Sequence, residues 1–172
     1  MNAKPQPMSP DEALSLFTTT RSRTQALAAP LCPEDMMLQS MEDASPVKWH
    51  LAHTTWFFEE FILKPRVTDY SSPDDRFAVL FNSYYVQAGP RHARDKRGLV
   101  SRPDGAAVQA YRDHVENSLN DLMNASRNDT GDGVSPDLSQ SLSALGETLV
   151  SRFDYEDQLI NAMHKAHEMD VA

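Results

Sequence analysis

Apolar positions recur at steps of three and four along most of this chain, and no stretch of any length alternates in the two-residue rhythm of a strand. Four helices follow from that period. The first opens at Ser9-Pro10-Asp11-Glu12, a serine cap with proline in the first turn and a glutamate completing a capping box. Leu14, Phe17, Arg21 and Leu27 mark its faces, and Pro30 to Pro33 end it. The second is expected from about Ser45 to Leu63, with Ser45 as cap, Pro46 in the first turn and Pro65 as the stop. The third starts at Pro103-Asp104 and carries Val108, Tyr111, Val115, Leu119 and Leu122 to about Ala125. The fourth opens at Pro136-Asp137, where Leu138, Leu142, Leu145, Leu149, Phe153, Ile160 and Met163 hold one apolar face to about Met169.

The connections differ in character. Leu31 through Ala44 is a connector with a methionine patch, Met36, Met37 and Met41. Residues 64–103 keep no sustained period, although a short helix fits within Asp74 to Phe81. Crossings of roughly 40 residues are long for a compact domain and are more often functional than decorative. Arg127 to Ser135 reads as a polar, mobile turn region. Four long amphipathic helices with one long crossover, between the second and third, predict an all-α four-helix bundle. Residues 1–8 are expected to form a flexible lead, and 9–170 a single domain.

The second helix concentrates the unusual side chains. Residues 45–61 hold both tryptophans, three of the seven phenylalanines and two of the six histidines. Trp49, His53, Trp56 and Glu60 share one face, with Leu51, Phe58, Phe61 and Ile62 to the side, so the helix is expected to be buried on several sides. A histidine within such a surface needs a hydrogen-bond partner or a metal.

Composition narrows the function classes. A net charge of −9 over 172 residues argues against nucleic-acid binding. No apolar run reaches the roughly 20 residues that span a membrane, and the N-terminus lacks the apolar core of a signal peptide. Cys32 is the only cysteine, so no intrachain disulfide forms, which fits a cytoplasmic protein. No nucleophile elbow, zinc-protease motif or phosphate loop is present.

The stretch Pro46-Val47-Lys48-Trp49-His50-Leu51-Ala52-His53-Thr54-Thr55-Trp56-Phe57-Phe58-Glu59 resembles the N-terminal DinB/YfiT-like domain of ergothioneine-biosynthesis sulfoxide synthases. Leu80-Phe81-Asn82-Ser83-Tyr84-Tyr85, Gly89-Pro90-Arg91-His92 and Arg97-Gly98-Leu99-Val100-Ser101-Arg102-Pro103 extend the resemblance over about residues 8–125. It implies a DinB-like four-helix bundle, which in that family is fused to a formylglycine-generating-enzyme-like domain. It also implies that His53 stands at the first of three histidine ligands to a non-haem iron. The other two family ligands sit on helix four, where alignment by the apolar stripe places Arg152 and Glu156 instead. The chain ends at Ala172 and is therefore expected to act without the second domain, as a binding or regulatory module with a degenerate iron site.

Several residues then stand as candidates. His53 and Glu156 are the metal-ligand pair of a rebuilt site for iron or another divalent metal, which would make the protein a metal-dependent enzyme. Alternatively, Glu156, which falls in an apolar row, pairs with Arg152 one turn away. A further alternative is half of a split sulfoxide synthase. Arg91 and Arg94 lead the one basic cluster, with His92, Lys96, Arg97 and Arg102. They are candidates for binding a small carboxylate or thiol ligand, since arginine favours bidentate carboxylate recognition. His164 and His167, His50, His114 and Cys32 are weaker candidates, expected to be solvated or structural. A homodimer through bundle faces is a further expectation from similar proteins.

Overall fold

The computed structural model describes residues 10–83 and 85–130, with side chains described between 11 and 125. Backbone contacts gather Ser15–Ala125 into one compact unit. Of the second unit, Met1–Leu14 with Ser126–Ala172, only the outer ends of two helices are described. The expected fourth helix, with Arg152, Glu156, His164 and His167, lies outside the described residues, as does the Ser9 cap.

Every described element is helical. They are α1 (Pro10–Ala28), a short α2 (Pro33–Met37), α3 (Val47–Phe58) continued through a π-turn (Glu59–Leu63) and α4 (Lys64–Arg66), α5 (Phe77–Leu80), two 3-10 turns (Val86–Ala88 and Arg94–Leu99) and α6 (Gly105–Thr130). Among the described residues there is no strand. The expected polar turn after Ala125 begins later than the composition suggests, because Ser126 to Thr130 still belong to α6. Ser45 does not cap α3: Pro46 takes the cap position, and the Ser45 hydroxyl accepts a hydrogen bond from Arg97 Nη1 at 2.8 Å.

The core lies where α3 meets α6 and the crossover. Trp49, Leu51, Ala52 and Trp56 of α3 are buried with Val108, Tyr111, Val115, Leu119 and Met123 of α6. Phe77 and Phe81 from the crossover join them, Phe77 packing 4.7 Å from the Tyr111 ring. On α1 the inward positions are Arg21 and Ala28, whereas Leu27 is 73 % exposed. Phe17 meets Phe58 edge to face at 4.9 Å.

The π-turn has an identifiable local cause. Pro65 has no amide hydrogen with which to bond the Phe61 carbonyl. Arg66 Nη1 reaches that carbonyl at 3.2 Å instead, and the Lys64 amide bonds back five residues to Glu59. Widening the turn brings Ile62 and Leu63 both into the core. It also corrects an expectation about the acidic pair. Glu60, placed by ideal periodicity with His53 and the tryptophans, is partly exposed and pairs with Lys64 at 2.6 Å. Glu59 is the wholly buried one.

Glu59 ties three segments together. Its carboxylate accepts hydrogen bonds from Tyr70 Oη of the crossover at 2.8 Å and from Tyr111 Oη of α6. Three further buried or half-buried polar groups fasten the remainder. Lys48 Nζ donates to the carbonyls of Val100 (2.9 Å), Ser101 (3.3 Å) and Pro103 (2.8 Å), holding the lead into α6, where the Arg102–Pro103 bond is cis. Asn82 Nδ2 donates to the carbonyls of Tyr85 and Gly89, both at 3.1 Å, closing a loop in which Gly89 takes a φ of +104° that favours glycine. Gln39 grips the second 3-10 turn, donating to the Arg94 carbonyl (2.8 Å) and accepting from the Gly98 amide (2.6 Å). A Cβ on Gly98 would come within 2.7 Å of Gln39 Cβ, so only glycine permits that approach.

Two predictions follow from the Glu59 tie. Glu59→Leu leaves the buried Tyr111 hydroxyl and the half-buried Tyr70 hydroxyl without their charged acceptor and should cost about 3 kcal/mol, whereas Glu60→Leu should cost under about 1 kcal/mol. Urea midpoints of the two variants check this; equal losses would remove the distinction. Second, burial, followed by the hydrogen bond and charge of Glu59, holds the Tyr70 hydroxyl far above its usual range, and burial and Glu59 do the same for Tyr111. The folded chain keeps these protons beyond the pH near 10 at which unfolded tyrosine loses them. Their contribution is therefore complete below about pH 10 and declines above it. The fall in unfolding free energy between neutral and strongly alkaline pH should be smaller in Tyr70→Phe/Tyr111→Phe than in the parent.

Candidate functional site

α3 presents different chemistry on two sides. Lys48, Ala52 and Thr55 turn toward α1, α6 and the lead into α6, while Trp49, His53 and Trp56 turn toward the crossover. His53 lies roughly 140° around the helix from Lys48, five residues on.

On the first side sits a charged knot. Arg21 Nε bonds Glu116 Oε1 at 2.7 Å, and its two terminal nitrogens donate to the hydroxyls of Thr54 (3.2 Å) and Thr55 (2.8 Å). Arg112, wholly buried, donates to the Leu51 carbonyl at 3.1 Å and stands 3.9 Å from the same Glu116 carboxylate. One carboxylate thus serves two guanidiniums. Burial, and then the charge of Arg21, pushes the Arg112 pKa down to about 10. The spacing and depth of this knot make it a structural tie between α1, α3 and α6.

On the second side His53 is stacked between aromatic rings. Trp49 lies parallel to it at 4.6 Å between centroids and Trp56 at 5.7 Å, with Tyr85 at 6.4 Å. Its Nδ1 is 2.6 Å from the Phe81 carbonyl oxygen. A carbonyl can only accept, so Nδ1 carries a proton in this bond. The Trp49 indole donates to the next carbonyl, that of Leu80, at 2.8 Å. The crossover is thereby pinned to α3 by two consecutive backbone oxygens.

The basic loop reaches the same side through Arg97. Its guanidinium lies 3.5 Å from the centre of the Trp49 ring, on a residue only 4 % exposed. Burial, followed by the neighbouring charges of Arg94 and Arg91, lowers the Arg97 pKa to about 10. Arg91 is exposed and donates to the Ser83 carbonyl at 3.4 Å; Arg94 is half-buried, with Nη1 3.5 Å from the Asp43 carbonyl. His50 is exposed but crowded by the same group: loss of hydration among its neighbours, then the charges of Arg97 and Arg94, disfavour its protonation.

The candidate residues are therefore distributed unevenly. His53, Trp49, Arg97 and, through the charge felt by Arg97, Arg91 and Arg94 form one neighbourhood. Among the described residues, no three His, Cys, Asp or Glu side chains come together in a way that would hold a metal ion. Glu156, the proposed second ligand, lies outside those residues. His114 is exposed, its ring 5.7 Å from Tyr70. Cys32 is exposed with Sγ 3.2 Å from Asp35 Oδ2, and a carboxylate neighbour does not favour the thiolate.

Sequence reasoning passed over Glu59, Lys48 and Arg112. Part of their signal was present in the chain: Lys48 and Glu59 share one row with Ala52 and Thr55 on a largely apolar α3, and Arg112 lies among Val108, Tyr111 and Val115 on α6. The same argument, that a buried charge must be partnered, was available for all three.

Removing the Arg97 side chain should free the loop. Arg97→Ala is expected to cost about 2–3 kcal/mol, from a desolvated cation–π contact and one hydrogen bond, and to speed tryptic cleavage at Arg91, Arg94 and Lys96. An unchanged cleavage rate would show that Gln39 holds the turn without it.

Comparison with known proteins places the chain. A family model for the DinB superfamily matches residues 16–149. No curated protein sequence matches the chain. No described helix is long and apolar enough to cross a membrane. The all-helical architecture is that of the DinB-type bundle.

Proposed function

We propose a function for a chain that belongs to the DinB superfamily across residues 16–149: it is a small-molecule-binding module that takes a small carboxylate at the arginine loop beside His53. The observation that carries this reading is the crowding of three guanidiniums. Arg97 is held over Trp49, and its pKa is lowered by burial and by the charges of Arg94 and Arg91. An anion placed among them relieves that repulsion, and arginine's planar fork suits a carboxylate. The resemblance to the sulfoxide-synthase domain supports the same assignment, because the matching loop there meets the carboxylates of a thiol co-substrate.

A second reading is favoured by the His53 tautomer. Metal-binding histidines commonly donate their other ring N–H to a carbonyl, as His53 Nδ1 does to Phe81. In that reading His53 and Glu156 are two ligands to iron or another divalent metal, and the protein is a metal-dependent enzyme.

Thermal unfolding separates the two. Citrate, succinate and cysteine, added at fixed low ionic strength, should raise the melting temperature of the parent, and Arg91→Ala/Arg94→Ala should abolish the shift. A shift that survives the double substitution overturns the carboxylate site. A shift produced instead by Fe(II) or Zn(II), reversed by chelator and absent in His53→Ala, selects the metal reading.

A further inference from the structure

A cleft of about 720 Å³ opens on the side of α3 away from His53. The C-terminal end of α1, the short α2, and the beginning of α6 form its walls, with Leu51 and Lys48 of α3 contributing from that helix. Its size falls within the range of small-molecule sites, roughly 300–1,000 Å³.

Three features decide what it can hold. The walls carry small residues, Ala28 and Ala29 at the end of α1 and Gly105 and Ala106 at the start of α6, where larger side chains would fill the space. Met36 and Met37 of α2 line the cleft, and neither is buried by the fold, so their flexible thioethers leave apolar surface uncovered. The two charged residues in the lining already have their hydrogen-bonding groups committed. Lys48 spends its three donors on three carbonyls. Asp104 accepts the Ala107 amide at 2.9 Å, which satisfies the first turn of α6, and accepts Arg102 Nη1 at 2.8 Å. An anion entering the cleft would meet the Asp104 carboxylate, and a cation would meet the Lys48 ammonium. The three Lys48 N–H groups are all taken by carbonyls, so an anion finds no free donor there, and Asp104 already has Arg102 as its cation.

The remaining polarity is neutral. Gln25 on the α1 wall and Gln109 on the α6 wall bring amides to the cleft. Gln109 Nε2 is engaged by Asp113 at 2.8 Å, which leaves its oxygen as an acceptor.

The geometry points to a second binding site here, separate from the His53 neighbourhood, that takes an uncharged, largely apolar molecule bearing one hydrogen-bonding group. Aromatic ligands suit it best, since methionine sulfur packs favourably against ring edges.

Two fluorescent probes that share a skeleton and differ in one charge test this. N-phenyl-1-naphthylamine is neutral and carries one N–H; 8-anilino-1-naphthalenesulfonate adds a sulfonate. The full chain should bind the neutral probe saturably, one per chain, and the sulfonate at least about tenfold more weakly, a difference of about 1.4 kcal/mol. Ala29→Trp and Ala106→Trp, both at exposed positions on opposite walls, should each weaken the neutral probe by about tenfold or more while far-UV circular dichroism stays unchanged. Because a tryptophan could still perturb the fold, the parent offers an independent readout. Labelled methyl signals of Met36 and Met37 should move on adding the neutral probe, and that of Met41, outside the cleft, should not. Equal affinity for both probes, no saturable binding, or unmoved Met36 and Met37 signals would each overturn the proposal. So would a parent dimer that Ala29→Trp splits, because the cleft would then belong to a second copy of the chain.

Discussion

A carboxylate taken wholly out of water must recover the hydration it loses, and Glu59 recovers it from two tyrosine hydroxyls that are distant in sequence. Tyr111 comes from α6 and Tyr70 from the crossover, so one side chain fixes where three segments meet. The π-turn that begins at Glu59 belongs to the same arrangement. It widens the helix where Pro65 withholds an amide, and it brings Ile62 and Leu63 together into the apolar layer beneath. Losing either tyrosine would leave a buried charge short of a partner, a more costly defect than losing a surface ion pair such as Glu60–Lys64.

The same logic repeats around α3. Lys48 caps three carbonyls of the segment entering α6, and Arg21 with Arg112 shares Glu116 across α1, α3 and α6. Each of these charges is satisfied mostly by backbone oxygens, hydroxyls or a single opposite charge. The consequence for function is a division of the helix. One side is committed to holding the fold, its charges buried between α1, α3 and α6. The other side, with His53 and Trp49, meets the crossover through backbone carbonyls and a stacked guanidinium.

The crossover illustrates how an aperiodic segment becomes ordered. It contains little regular structure, yet Asn82, Gln39, Tyr70 and Arg97 fix it at separate points, and Trp49 and His53 bind two successive carbonyls. Arginines on such a segment keep a constant position relative to α3. A loop with that degree of anchoring can present charge for recognition without a large ordering cost at binding.

Much of the architecture was legible in the chain. The three-and-four periodicity marked α1, α3 and α6 within a few residues, because burying an apolar stripe is a local property of spacing and residue type. The run from Pro46 to Glu59 marked α3 as a helix buried on several sides, and the aromatic surroundings of His53 were legible in it. What the sequence left open depended on contacts between distant segments. Ser45 reads as a cap until Arg97, some fifty residues later, takes its hydroxyl. Glu60 reads as the inward acid until Pro65 widens the helix and Tyr70 and Tyr111 gather on Glu59. Arg91, Arg94 and Arg97 read as equivalent members of one basic loop, and only packing against Trp49 buries the third and exposes the first. Helical period fixes direction around one axis; which of two adjacent charges is buried is decided by the partner that arrives to satisfy it.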